Sequence, residues 1–281
     1  MPAYLTHRAA GERVFESLKK AIIPIKEAFF LGCQGPDILF FRNYQPWKNS
    51  KDSLPLGLAM HGQKTRELFA HALSFLRGYD KQDRDELASY MAGFLTHYAV
   101  DKNAHPFVYG KAGKDSNIHH ATESMWDSFT AKEQWNIEPQ EFDVYSDVMS
   151  VSIADSVEDW YCAACRDVYG WELASNALKQ AQLHLARARR ALANIKLPHK
   201  ALMRLIKIVS SYDLRAMLYP EQRDNSLFSG DEYKSMQAMI EKGVEEAASM
   251  ITFMMDYING AAGELPALIG EKNFAGEALQ L

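Results

Sequence analysis

Between Thr96 and Glu123 the chain reads THYAVDKNAHPFVYGKAGKDSNIHHATE, which sets His97, Asp101 and His105 at successive intervals of four and repeats the interval at His119 and Glu123. Residues at i and i+4 share a helix face about 5–6 Å apart, so each His/carboxylate pair can reach a common ion. Imidazole nitrogen mixed with carboxylate oxygen is the donor set that borderline divalent metals take. Two helices that each turn such a pair inward can build a metal centre inside a bundle. Of the nine histidines, seven precede residue 121 and four fall in this segment. That lopsided distribution points to a metal site built by the first half of the chain and supported by the second. One such pair is more often a surface hydrogen bond. Two consecutive pairs with His105 between them favour ligation. His71 lies ten residues past His61 and on another helical face, and reads as packing or surface; His120 reads as a neighbour of the ligands.

These residues need rigid elements to hold them, and the surrounding sequence is helical almost throughout. A 3.6-residue apolar period runs from about Thr6 to Phe30, with Pro24 as a kink or end. Gly32–Asp37 is a turn-rich break, and an aromatic, Pro- and Asn-rich loop follows to about residue 57. Helices are expected from about Leu58 to Gly78, from 85 to His105 where Pro106 stops it, and from about Asn117 to Thr130. The third of these carries a buried stripe of Leu87, Met91, Phe94, Leu95 and Tyr98. Four further helical patterns follow beyond residue 140, one of them over 199–214, and period-2 alternation is missing. The expectation is therefore an all-α chain forming a single domain over 1–281, with motifs in 1–130, supporting helices in 131–260, and a Gly/Ala-rich tail over 261–281 that is loosely ordered.

Composition narrows the function classes. The 281 residues suffice for a core without disulfide staples. A net charge of −5 argues against a basic surface for sequence-independent nucleic-acid binding. Cys162 and Cys165 form one CxxC with no second pair, on a helical pattern, so they read as packing residues rather than a zinc or redox motif. No apolar signal-peptide core follows Met1 and no run of 18 apolar residues occurs. No membrane span is expected, and the expected location is the cytoplasm.

Taken in order, His7, the Gly-Pro-Asp ending at Asp37, His61, His-Tyr-x-x-Asp (His97, Asp101), His105, and His-x-x-x-Glu (His119, Glu123) resemble the bacterial zinc-dependent phospholipase C family. That family is related in fold to the fungal single-strand-specific nucleases. The resemblance implies an all-helical fold with a zinc cluster in a cleft. Asp37, His61, His97 and Asp101 would hold one zinc ion, and His105, His119 and Glu123 a second. His7, with Asp101 as a bridge, would contribute to a third. In secreted members the mature amino terminus completes that third site. Here no signal-peptide core precedes it and His7 lies nearer the terminus, so two or three ions are expected. The step from Asp101 to His105 is also shorter than in the secreted enzymes.

The activity implied is hydrolysis of a phosphodiester, in a small molecule or a phospholipid head group, by water activated at zinc. Asp37 would bind metal and also orient or deprotonate that water; its plain alternative role is to cap the turn after Gly35-Pro36. Tyr4, Phe40, Phe41, Tyr44, Trp47 and Phe107 lie near motif residues and are candidates for cleft lining or for core, with Arg42 and Lys48 as candidate phosphate contacts. A nuclease or nucleotide phosphatase on the same cluster is the alternative, disfavoured for a polynucleotide by the net charge. A non-enzymatic helical metal-binding protein is the third reading.

Overall fold

The structure is a computed structural model, and it describes residues 4–18, 22–43, 53–79, 81–193, 219, 229–261 and 263–279. In chain order the elements are α1 (Tyr4–Ser17), α2 (Lys26–Gly32), a 3-10 turn (Gly35–Phe41), α3 (Ser53–Gly62), α4 (Thr65–Arg77), α5 (Lys81–Ala112) and α6 (Ser116–Trp135). A short 3-10 turn (Pro139–Glu141), α7 (Val144–Val148), α8 (Asp155–Ala164) with a π-helical extension (Cys165–Tyr169), α9 (Ala177–Ala193) and α10 (Gly230–Ile258) follow. Among the described residues the only extended pairing is an isolated bridge between Lys272 and Ala278. The chain is all-α, as its periodicity predicts. The helical pattern over 199–214 lies outside the described residues.

Helix α5 is the axis of the molecule. It packs against α1, α2, α6, α8 and α10. The expected stripe is present, but every residue from Leu87 to Lys102 is buried. A helix that is apolar on most faces belongs in the middle of a fold rather than at its surface. Its neighbours start and stop where the sequence provides caps. The Asp115 side chain accepts hydrogen bonds from the Asn117 and Ile118 amides to begin α6, and Asn136 ends it at φ +56°. Ser229 and Glu232 close a capping box on α10.

Three boundaries differ from the sequence reading. Helix α3 begins at Ser53, inside the segment expected to be loop. Helix α5 begins at Lys81 rather than after Arg84. It also runs through Pro106 to Ala112 instead of stopping at His105. Proline removes one helical hydrogen bond, but packing outweighs that loss here. The Phe107 ring meets the edge of Trp126 on α6, and the chain at Gly276 lies against the Lys102 carbonyl and the Pro106 ring. The expected packing role of the cysteines is consistent with their surroundings. All three are free thiols, and Cys33 and Cys165 are buried.

Residues 263–279, for which composition alone suggested loose order, lie on α4 and α5. Arg66 donates to the carbonyls of Leu265, Pro266 and Ile269. The Tyr98 hydroxyl accepts from the Gly270 amide and donates to the Lys272 carbonyl. The buried Lys102 ammonium donates to the Leu268 carbonyl and pairs with Glu246 at 3.1 Å. Phe274 ends up fully buried in an aromatic cluster with Phe69, Phe94 and Tyr98.

Phe94 joins that cluster to Trp160 of α8, with ring centroids 5.5 Å apart in an edge-to-face arrangement. Phe94→Ala should lower the unfolding free energy by about 3–5 kcal/mol, the cost of an unrelaxed aromatic cavity. Urea unfolding followed by circular dichroism measures this, and a loss below ~1 kcal/mol would contradict the packing described.

Candidate metal centre

Helix α5 supplies His97, Asp101 and His105 on successive turns of one face. His97 is fully buried, and its Nδ1 lies 3.1 Å from the Cys33 carbonyl. A carbonyl only accepts, so the neutral ring carries its hydrogen on Nδ1 and turns the Nε2 lone pair inward. His61 and His105 are held the same way. Their Nδ1 atoms lie 2.7 Å from the Gly57 carbonyl and 2.8 Å from the Phe274 carbonyl. A backbone partner on the far nitrogen fixes both the tautomer and the ring orientation of a metal-ligating imidazole.

The other residues arrive from separate elements. Asp37 enters on the 3-10 turn after Gly35, which sits at φ +50° with His97 against it. A Cβ there would lie 2.4 Å from His97 Cδ2, so only glycine brings the turn this close. Asp37 Oδ1 is then 3.1 Å from His61 Nε2. His7, on α1, stacks on His97 with ring centroids 4.0 Å apart and points Nε2 at Asp101 Oδ1, 3.1 Å away. The second Asp101 oxygen is 3.0 Å from His97 Nε2, 3.6 Å from His105 Nδ1 and 3.9 Å from His61 Nε2. On α6, Glu123 Oε1 lies 3.1 Å from His119 Nε2 and 3.4 Å from His105 Nε2.

All eight sequence-selected residues thus meet in one cluster, as three triads whose donor atoms lie within 4.8 Å of one another. The triads are His7/His97/Asp101, Asp37/His61/His97 and His105/His119/Glu123. His97 belongs to two of them, and Asp101 is closest to His7 and His97 rather than to the Asp37 group. Among the described residues His7 Nδ1 is buried with no hydrogen-bond partner, and His97 Nε2, 3.0 Å from Asp101 Oδ2, is buried without a well-directed one. Buried polar nitrogens are rarely left in that state, and His97 Nε2 faces the carboxylates of the cluster. The mixed N/O donor set and the inward lone pair fit a zinc ion.

The electrostatics agree with a site built for cations. Burial disfavours the charge on Asp101, yet His105, His97 and His7 hold its carboxyl well below the usual range. Burial likewise opposes charge on Glu123 and Asp37, and neighbouring positive charge, to which the imidazoles around each contribute, holds both carboxyls below the usual range. His97 is raised against its own burial by Asp101 and Asp37, while burial and the stacked His97 lower His7. Of the two stacked imidazoles, His97 therefore takes up a proton more readily than His7. His105 is raised to about 9, burial being overcome by Asp101 and Glu123.

The remaining candidates fall elsewhere. Tyr4 and Phe41 are buried in the core, and the Tyr4 hydroxyl donates to Asp147. Arg42 is buried and donates from Nε to Gln180, so it is engaged within the fold. Phe107 packs on α6, and Phe40 lies on a site residue, stacked over His61 with centroids 5.4 Å apart. Tyr44, Trp47 and Lys48 lie outside the described residues. His71 pairs with Asp167 away from the cluster, and His120 Nδ1 is 3.7 Å from Glu123 Oε2.

Three contributors escaped the sequence reading. Tyr109, one turn past His105, lies beside His105 and His119, with ring centroids 5.5 and 5.0 Å away. Its i+4 spacing was the available signal. Asp127, one turn past Glu123, accepts from the Thr6 amide and hydroxyl at 2.8 and 2.9 Å and so ties α1 to α6 beside His7. Burial pushes its carboxyl up to about 7. Phe274, whose carbonyl orients His105, sits 169 residues further along the chain with no motif around it.

A pH dependence follows for the metal-free protein. His105 rises from an ordinary 6.5 to about 9 on folding, so its stabilising contribution is complete below pH 6.5 and is lost as pH climbs through 9. The cluster carboxylates are ionised in both states over that window and contribute no slope, while Asp127, pushed up to about 7 by burial, adds to the fall at its lower end. Urea midpoints measured in chelator should therefore fall between pH 6.5 and 9, and a flat profile would refute the ion pairs of His105.

No curated protein and no solved structure matches the chain significantly. The family model for zinc dependent phospholipase C matches residues 6–188, a span that contains all eight clustered residues. With well over half of the chain matched, an all-helical fold and a zinc-compatible donor cluster, the chain belongs to the zinc-dependent phospholipase C family.

Proposed function

We propose that the chain is a phosphodiesterase of the phospholipase C type, cleaving a small phosphodiester or a phospholipid head group at a cluster of two or three zinc ions. The observation that supports it most is the convergence of three donor triads around Asp101. Asp37, His61 and His97 would hold one ion, His105, His119 and Glu123 a second, and His7 with Asp101 would contribute to a third, with Asp101 as the bridge. Bound there, zinc supplies positive charge to phosphoryl oxygens and lowers the pKa of water from ~15.7 to about 7.

The chain's own residues supply the rest. His97, His7 and Asp101 form a dry base, with side-chain exposures of 0, 4 and 7%. Asp37 and His61, at 18 and 19%, form the wet edge, so substrate and water approach from there. Asp37 is ionised and solvent-accessible, and it can accept a hydrogen bond that aims the attacking water. Phe40 over His61, and the half-exposed Tyr109 beside His105 and His119, offer apolar faces to the organic part of an ester. No described helix is long and apolar enough to cross a membrane.

Metal analysis should return two or three zinc ions per chain. Asp37→Asn should reduce kcat/KM by at least ~100-fold while leaving the helical circular dichroism signal intact. Unchanged turnover in that variant refutes the role given to Asp37. A panel of chromogenic phosphodiester, phosphorylcholine ester, single-stranded DNA and nucleoside monophosphate tests the reaction class. Turnover confined to the last two transfers the site to nuclease or phosphatase chemistry. Zinc without turnover of any of them makes it a metal-binding protein only.

A further inference from the structure

Phe274 lies beyond the family-matched span, in a segment that no motif marks. Its backbone nevertheless touches two residues of the metal cluster at once. The Phe274 amide donates to the His61 carbonyl at 3.0 Å, and the Phe274 carbonyl accepts from His105 Nδ1 at 2.8 Å. Its ring, fully buried, packs on the rings of His61 and His97 with centroids 5.1 and 5.9 Å away. One residue thus contacts three imidazoles that come from α3 and α5. His61 belongs to the Asp37 triad and His105 to the Glu123 triad, so Phe274 spans the interval between them.

The segment around it is fastened for that purpose. The Asn273 side chain donates to the Gly62 carbonyl, one residue past His61. The amides of Asn273 and Leu279 bond to the carbonyls of Glu277 and Glu271, closing a small hairpin with Phe274 near its tip. Gly276, at φ +78°, lets the hairpin touch α5 at Lys102 and Pro106, the residues that follow Asp101 and His105. A Cβ there would lie 2.5 Å from Pro106 Cγ and 2.7 Å from the Lys102 carbonyl.

We propose that the C-terminal hairpin 269–279 is a working part of the metal centre and that Phe274 is its positioning residue. It holds His61 and His105 at the spacing, and His105 in the tautomer, that zinc ligation requires. The inference rests on the metal-centre reading above. It has a thermodynamic corollary. If a docked hairpin raises zinc affinity by some factor, zinc must favour hairpin docking by the same factor. Partners that orient ligating histidines are worth about 10–100-fold in metal affinity.

The test uses the full chain. Hydrogen exchange is followed by mass spectrometry on wild-type protein stripped with chelator and then reloaded with zinc, and metal analysis of the same samples records whether zinc is bound. Zinc should slow exchange across 269–279 by about 10-fold or more. Bound zinc with unchanged exchange there overturns the proposal and leaves the metal centre standing. Absence of zinc from the reloaded wild type removes the metal centre itself, and this proposal with it. Phe274→Ala, and Gly276→Ala with the aromatic ring kept, should weaken zinc binding by about 10–100-fold in competition with a chromophoric chelator. Ile251→Ala, a buried change on α10, which carries none of the cluster residues, should not. Wild-type affinity in either folded hairpin variant, or an equal loss in Ile251→Ala, overturns the positioning role. If both hairpin variants fail to fold, the wild-type exchange result decides.

Discussion

Everything in this fold answers to one buried carboxylate. Asp101 is 7% exposed at its side chain and has His7, His97, His105 and His61 within 3.9 Å of its two oxygens. An isolated carboxylate in that position would be costly to bury, and it persists only with positive charge beside it. Four imidazoles can provide that charge by holding protons or by holding a metal. The two are alternatives, since ligation needs the nitrogen lone pair that protonation occupies. The raised His97 and His105 beside a lowered His7 are therefore the metal-free arrangement of a site whose charges balance around cations.

That requirement explains why α5 is so long and so deeply buried. Three of the eight cluster residues lie on it, one turn apart, so a single rigid element sets their spacing. The remaining donors come from α1, the 3-10 turn, α3 and α6, each brought up against α5 by its own contact. Gly35 permits the approach of Asp37, Asp127 ties α1 to α6 beside His7, and the Gly57 carbonyl turns His61. Main-chain carbonyls orient three of the imidazoles, and the one at Phe274 is itself anchored by a fully buried ring.

What the sequence disclosed and what it concealed divide along the same line. Helix periodicity and i+4 spacing are local, and they revealed the all-α class, the His97/Asp101 and His119/Glu123 pairs, and the buried stripe of α5. The order of His7, Asp37 and His61 was legible only through a family resemblance, because nothing local links α1 to α5. Pro106 misled because its intrinsic effect is to stop a helix, whereas packing on α6 and the chain at Gly276 carries α5 through it. Arg42 looked like a phosphate contact by charge and position, yet it is buried and bonded to Gln180. The tail after Gly260 looked loose because its composition is Gly/Ala-rich. Its fastening comes from donors on other elements, Arg66, Tyr98 and Lys102, that no window of sequence contains.

The gradient of burial across the cluster follows from these contacts and separates two physical regimes. At the base, His97 and His7 are stacked and dry, and low local dielectric makes each ion–ligand interaction strong and each unpaired charge expensive. At the rim, Asp37, His61, His105 and His119 are 12–19% exposed and exchange with water. A charge at the base is therefore bound to the fold, because removing it leaves Asp101 uncompensated. A charge at the rim can change at lower cost, because water screens what is left behind. A hydrolytic centre needs both halves, one that fixes charge permanently and one where the charge of a reacting group can come and go. The sequence builds the first with α1 and the middle of α5, and the second with the 3-10 turn, the end of α3, the following turn of α5 at His105 and the start of α6.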